Sequence, residues 1–146
     1  MSLSSVFDIA GMGMSAQSVR LNTTASNLAN AQAAGTEDDT YRARHPVFSS
    51  IQQEQMLSGS SQFSPIGDQS NVGLTVVDIV ESNEPLDRRY EPDHPKANED
   101  GYVFYPNVNV VEEMADMISA SRSFQVNVEV MNSAKTMIQR LLTLGQ

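Results

Sequence analysis

Two histidines, His45 and His94, are the first side chains to weigh for chemistry, because imidazole titrates near neutral pH and ligates metals. Neither stands at ligand spacing from the other, and each is followed by a proline, which favours a loop or strand edge. The chain has no cysteine, so thiol catalysis, disulfides and Cys-ligated zinc are excluded. Glu37, Asp38 and Asp39 are adjacent acids without the spacing or glycine of a calcium loop. Glu81, Glu84, Asp87, Glu91 and Asp93 offer carboxylates with no partner at a defined distance, so nothing specifies general acid–base work. Gly11-Met12-Gly13 opens a helix but follows no strand, which is not the context of a phosphate loop. Arg88-Arg89 is a lone basic pair. The residues therefore point to no catalytic set, no cofactor and no metal.

What the chain does contain is two long helical patterns, one at each end. The first is expected over about Ser5–Ala34, with Ser5 as cap and Asp8 in the capping-box position. Phe7, Ala10, Met14, Leu21, Leu28 and Ala31 form one stripe at heptad-like spacing, and Ile9, Met12, Ala16 and Val19 form a second. One stripe suffices for a hairpin; two predict more than one partner helix. Gly11 and Gly13 weaken the first turns by roughly 1 kcal/mol each, and Gly35 is expected as a left-handed C-terminal stop.

The last helix is expected over about Asn109–Leu144, with Asn109 and Glu112 as a capping box. Its stripe is Val110, Met114, Met117, Phe124, Val128, Met131, Ile138 and Leu142, interrupted by Ser121 and Lys135. The methionines are core filler or an adaptable interface. The two helices would be about 45 and 50 Å long, similar enough for an antiparallel coiled coil. Between them, Tyr41–Phe48, Val72–Val80 and Tyr102–Tyr105 read as extended; Pro85, Pro92 and Pro95 break the chain; Ser58–Ser70 reads as a mobile loop or hairpin tip. The predicted fold is mainly α with a small β-rich insert: a helical part of residues 1–35 plus 107–146, and an irregular, β-rich part of residues 36–106.

Charge is placed unevenly. The net charge is -9 over 146 residues, which excludes nucleic acid as an expected partner. The first 35 residues carry only Asp8 and Arg20, so almost all of the excess lies in the middle. The outer face of the first helix is Ser, Thr, Asn and Gln, a surface that can be desolvated against neighbours. No run of about 20 apolar residues spans a bilayer, and no cleavable secretory peptide is visible at Met1–Ile9.

The segment Ala25-Ser26-Asn27-Leu28-Ala29-Asn30 carries an Asn-Leu-Ala-Asn signature that resembles the flagellar axial proteins of rod and hook. Ser119-Ala120-Ser121-Arg122-Ser123-Phe124-Gln125-Val126-Asn127 and the following Val128–Asn132 resemble the matching C-terminal block of that family. The start Phe7-Asp8-Ile9-Ala10-Gly11, Pro106-Asn107-Val108, and the ending Leu141-Leu142-Thr143-Leu144-Gly145-Gln146 bring the likeness to the proximal-rod subunits. The chain departs from the family pattern where Thr36–Thr40 separate Gly35 from Tyr41, and where Phe124 replaces a common tyrosine. Residues 50–70 look like an insertion.

The resemblance implies a structural subunit of the proximal rod whose terminal helices polymerise into a hollow, torque-transmitting shaft. It implies partnership with other copies and other rod proteins, and export by the flagellar type III apparatus, without a cleaved signal, to the periplasm. The assembly residues expected are Phe7, Met14, Leu21, Asn27, Leu28, Asn30, Met117, Phe124, Gln125, Asn127, Val128, Met131, Ile138 and Leu142, with Asn27 and Asn30 as register-fixing polar groups. Competing readings are a needle or tip component of a type III secretion system, a cell-wall hydrolase needing a paired acid and base, and a soluble adaptor with a stable monomeric hairpin.

Overall fold

The computed structural model describes residues 3–52 and 72–144. Helix α1 spans Leu3–Asn30 and helix α2 spans Val110–Leu144. Four strands lie between them: β1 (Arg44–Gln52), β2 (Val72–Glu81), β3 (Asp87–Tyr90) and β4 (Tyr102–Tyr105). β1 and β2 form an antiparallel ribbon that packs on α1, and β3 and β4 form a second, shorter one. The fold is the one expected: two long terminal helices packed together, with short antiparallel strands in the middle. The expected Ser58–Ser70 loop, and all of the 50–70 insertion beyond Gln52, lie outside the described residues.

Several local expectations are corrected. α1 starts before Ser5, so Ser5 is a buried residue within the helix and not its cap. The helix also ends at Asn30 and not at Ala34. Asn30 Nδ2 donates to Ser26 O at 2.8 Å, and the chain leaves through a tight turn, with Ala33 N donating to Asn30 O at 2.9 Å. Gly35 is not left-handed; among the described residues the only positive φ belongs to Gly101. Gly35 is instead a place of close approach. A Cβ there would press on Thr40 Oγ1 and lie 3.1 Å from Thr40 Cα. The residue also exchanges two backbone hydrogen bonds with Phe104, at 2.9 and 3.2 Å. The Thr36–Thr40 segment thus folds as a turn closed onto β4.

Strand β3 was not expected, because its residues Asp87-Arg88-Arg89-Tyr90 lie among the prolines and have no alternating apolar pattern. It exists because β4 pairs with it, from Asp87↔Tyr105 to Tyr90↔Tyr102. Gly101, at φ 81, turns the chain back, and Asn98 Oδ1 accepts the Tyr102 N–H at 2.8 Å. Lys96 Nζ donates to Ala34 O at 2.8 Å, which pins this connection to the segment after α1. Desolvation first, and then the hydrogen bond and charge of Glu91, raise the Tyr105 phenol above its ordinary 10.0, against an opposing pull from Arg89.

α2 begins after Asn109, which caps it as expected; the Glu112 half of the expected capping box makes no hydrogen bond to Asn109 N among the described residues. Asn109 Oδ1 accepts the Val111 N–H at 3.1 Å, and its carbonyl accepts the Glu113 N–H at 3.0 Å. The two helices run antiparallel, since Asn27 near the end of α1 meets Glu113 near the start of α2, and Gly13 meets Asn127.

Candidate assembly interface

Among the described residues, α2 packs on one other element only, α1. Its covered face is therefore the α1 face. The buried and half-buried residues recur as Glu113, Met117, Ala120, Phe124, Asn127, Met131, Ala134 and Ile138, at alternating spacings of four and three. That is a coiled-coil seam, with Met117, Phe124, Met131 and Ile138 at heptad position a and Glu113, Ala120, Asn127 and Ala134 at d. The matching series on α1 is Ala10, Gln17 and Thr24 at a, and Val6, Gly13, Arg20 and Asn27 at d.

This differs from the expected stripes. On both helices the sequence reading joined position a to position e, because e holds the large apolar residues. The seam runs instead through a and d, where the d residues are small or polar. Val110 and Met114, expected in the stripe, are exposed, at 38% and 51%. Ala120 and Ala134, which the stripe omitted, are buried. The physical reason is backbone approach. Alanine and glycine let two helices come close, and leucine or phenylalanine at d would hold them apart.

Gly13 marks the closest point. A Cβ on it would fall 2.8 Å from Asn127 Nδ2, whereas a Cβ on Gly11 meets nothing within 4 Å. Gly11→Ala should therefore stabilise the folded chain by about 0.5–1 kcal/mol through helix propensity. Gly13→Ala should lose most of that gain by displacing the Asn127 amide. Urea midpoints of the two variants test the difference, and equal gains would remove the close approach. At Gln17 the seam carries a defect: Oε1 is buried without a hydrogen-bond partner among the described residues. Gln17→Met keeps the unbranched shape and removes that atom, so it should raise stability by about 1 kcal/mol, readable as a higher urea midpoint.

Asn27 is the polar centre of the seam. It is 0% exposed and uses its whole hydrogen-bonding capacity. Nδ2 donates to Glu113 Oε1 and to Arg44 O, each at 2.8 Å. Oδ1 accepts from the Arg44 N–H at 3.0 Å and from the Tyr41 hydroxyl at 2.8 Å. The amide thus pairs with both backbone groups of Arg44 as a neighbouring strand would, and also reaches α2. One side chain ties α1, α2 and the first residue of β1. Around it, the Arg44 guanidinium lies 5.3 Å from the Tyr41 ring centroid and pairs with Glu81 at 2.9 Å. Arg20 and Asp116 add an interhelical ion pair at 2.7 Å; it is partly exposed and worth under about 1 kcal/mol. Asn107, in the segment leading into α2, clips the connections together by accepting the Ala43 N–H at 2.8 Å and donating to Glu84 O at 3.0 Å.

The expected assembly residues fall into groups. Asn27, Met117, Phe124, Asn127, Met131 and Ile138 lie on the intramolecular seam. Phe7, Met14, Leu21 and Leu28 are half-buried at position e of α1, and Val128 and Leu142 occupy position e of α2. In an antiparallel pair the two e flanks lie on the same side of the coil. Ala16 and Thr23, buried off the seam on the opposite flank of α1, mark the side that the β1–β2 ribbon covers. Within the chain, the flank that holds Ala16 of the second stripe meets a ribbon, while Ile9 of the same stripe is exposed. Gln125 is exposed, and among the described residues the Asn30 side chain bonds only within its own helix. Sequence reasoning missed Glu113, Tyr41 and Arg44 as partners of Asn27. An acid one heptad from Ala120 and two from Asn127 was a signal for Glu113; nothing local pointed to Arg44, whose contribution is backbone.

Both sequence blocks lie on the seam helices, and the comparisons with known proteins find the same segments. Residues 7–35 match the family described as "Flagella basal body rod protein", and residues 99–144 match "Flagellar basal body rod FlgEFG protein C-terminal". Over its whole length the chain is similar to flagellar basal-body rod protein FlgC of Salmonella typhimurium, at 44% identity with 100% of both chains covered. The FlgC of Escherichia coli O157:H7 is 45% identical over 100% of both chains. That of Borreliella burgdorferi is 34% identical over 100% of this chain and 99% of its own. The chain belongs to the flagellar basal-body rod protein FlgC family.

A FlgC-family chain is a structural subunit of the basal-body rod and not an enzyme. That settles the choice against the hydrolase, adaptor and needle readings. Membership also gives the seam a context: the two matched segments of this rod subunit are α1 with the turn after it, and α2 with β4. No helix among the described residues is long and apolar enough to cross a membrane.

Proposed function

We propose that this rod subunit polymerises with other copies and other rod proteins through its terminal helices, forming a hollow shaft that transmits torque. The helical part, residues 1–35 plus 107–146, forms the inner tube, and residues 36–106 face outward. One observation carries this reading. At position d the coil places small or polar residues inside, and on α1 the large apolar residues stand at position e, on the flank. Alanines, Gly13 and Asn27 fill the close contacts, while Phe7, Met14, Leu21 and Leu28 line the flank away from the ribbon. A coil built to be stable alone does the reverse. Met114 and Met137 stay exposed, at 51% and 56%, and suit neighbours that are not identical.

Torque is then shared over many apolar contacts, each buried leucine contributing about 1.5–3 kcal/mol. Of the expected polar residues, exposed Gln125 is the one that offers this surface a directional polar contact. The subunit reaches its place in the periplasmic, proximal rod through the flagellar type III export apparatus, without a cleaved signal peptide. Helices with exposed apolar flanks and two glycines near the start suit a chain that is loose before assembly. Side-chain-resolution imaging of isolated basal bodies tests the reading. It should find Leu21 and Leu28 against a neighbouring subunit; solvent at both positions in the complete rod would reject the lateral interface.

A further inference from the structure

The heptad phase of α2 continues past the end of its partner. Leu141 stands at position d, in line with Glu113, Ala120, Asn127 and Ala134, yet it is 57% exposed, and Leu142 beside it is 68% exposed. From the Gly13–Asn127 and Asn27–Glu113 pairings, Leu3 of α1 lies opposite Met137. The turns of α2 from Ile138 onward therefore project beyond the described part of α1. They carry Leu141, Leu142 and Arg140, and Arg140 has no ion-pair partner among the described residues.

At the opposite end of the coil is a groove of about 810 Å³, between the residues after α1, the turn before β3 and the segment entering α2. Its lining is mostly polar and includes the Asp87–Arg89 ion pair; Leu86, Val108 and Val110 add apolar wall, and Glu84 adds a carboxylate with no ion pair among the described residues. Its volume is of the order of a ligand pocket, roughly 300–1,000 Å³, which suits the end of a helix and not its whole length.

We propose that this groove is a socket for the C-terminal helix end of another rod-family subunit. The exposed leucines enter it and the arginine pairs with Glu84. Three features favour that occupant. The matched family segment at residues 99–144 runs through the projecting turns, so relatives share the element that would enter. The charges are complementary: Arg140 on the projection and Glu84 in the socket have no ion-pair partner among the described residues, while Asp87 and Arg89 of the socket pair with each other. The incoming C-terminus also points its negative dipole end at the start of α2, whose dipole end is positive. Socket and projection lie at opposite ends of one coil, so the contact is head-to-tail and does not close on itself. Such contacts generate open filaments.

This rests on the polymerisation proposed above, and a photo-crosslinking experiment separates the two. A benzophenone amino acid is placed at Gln32, an exposed residue of the groove, and at Asp93 on the exposed connection as control, in cells building whole flagella. Basal bodies are irradiated and the adducts mapped by mass spectrometry. The expected adduct from position 32 lies in the C-terminal helix end of this chain or of a rod-family relative. A folded position-32 variant that is kept out of the rod while the position-93 variant enters has its socket blocked, and also supports the proposal. A variant that enters the rod and gives no adduct, or one mapping to another segment, overturns the socket and leaves polymerisation standing. Absence of the unmodified chain from the rod would instead overturn the polymerisation.

Discussion

Asn27→Ala should destabilise the isolated subunit by about 3–4 kcal/mol, the largest loss expected from any single side-chain truncation in the chain. The amide is fully buried and holds four partners: the Arg44 N–H, the Arg44 carbonyl, the Tyr41 hydroxyl and the Glu113 carboxylate. Truncation leaves them to find water or remain unpaired, and each buried group left unsatisfied costs about 1–3 kcal/mol. Asn27→Asp should be no milder. It keeps the volume but replaces the donor that lies 2.8 Å from Glu113 Oε1 with a second carboxylate oxygen. Asn30→Ala is the control, because Asn30 bonds only to a carbonyl of its own helix and should change stability by about 0.5 kcal/mol or less. Urea denaturation followed by circular dichroism measures all three. Amide exchange adds a second readout: with Asn27 gone, β1 should lose protection together with the seam, since one amide serves both. An Asn27→Ala chain as stable as Asn30→Ala would remove Asn27 from its assigned place.

The second large effect is expected in the assembly and not in the monomer. Leu28 is half-buried at position e, on the flank opposite the ribbon. In the isolated chain, Leu28→Asp can turn its carboxylate to solvent, so the helices should persist by circular dichroism. In the rod the same carboxylate would be enclosed by a neighbour without a cationic partner, and burying an unpaired charge costs several kcal/mol. Incorporation into basal bodies, and with it motility, should be abolished, while Leu28→Met should leave both near normal. Wild-type swarming by the Leu28→Asp strain would show that the flank is not an interface. The same logic predicts slower amide exchange along α1 in the rod than in the monomer.

These two residues are neighbours in the sequence and act in different places, which shows how far the chain could be read without coordinates. The long helices follow from the sequence alone, because helical periodicity and capping at Asn109 are local properties, and their similar lengths allowed the antiparallel pairing that the structure shows. The β2 run of valines and the Tyr102–Tyr105 strand were legible for the same reason. β3 was not, since Asp87-Arg88-Arg89-Tyr90 becomes a strand only by pairing with β4. Gly35 was read as a left-handed stop because glycine usually serves that use; its actual role depends on Thr40 and Phe104 arriving beside it.

The seam is the deepest of these differences. By itself the sequence determined which residues share a helical face, because that follows from 3.6 residues per turn. Which of two adjacent stripes turns inward was decided only by tertiary structure. A hydrophobicity rule selects the large side chains at position e. Close backbone approach and the complete hydrogen bonding of Asn27 select the small and polar side chains at d. That choice leaves Leu28 half-buried on the flank proposed to meet a neighbour, and it depends on Arg44 and Glu113, residues far from Asn27 in the chain and adjacent to it only when folded.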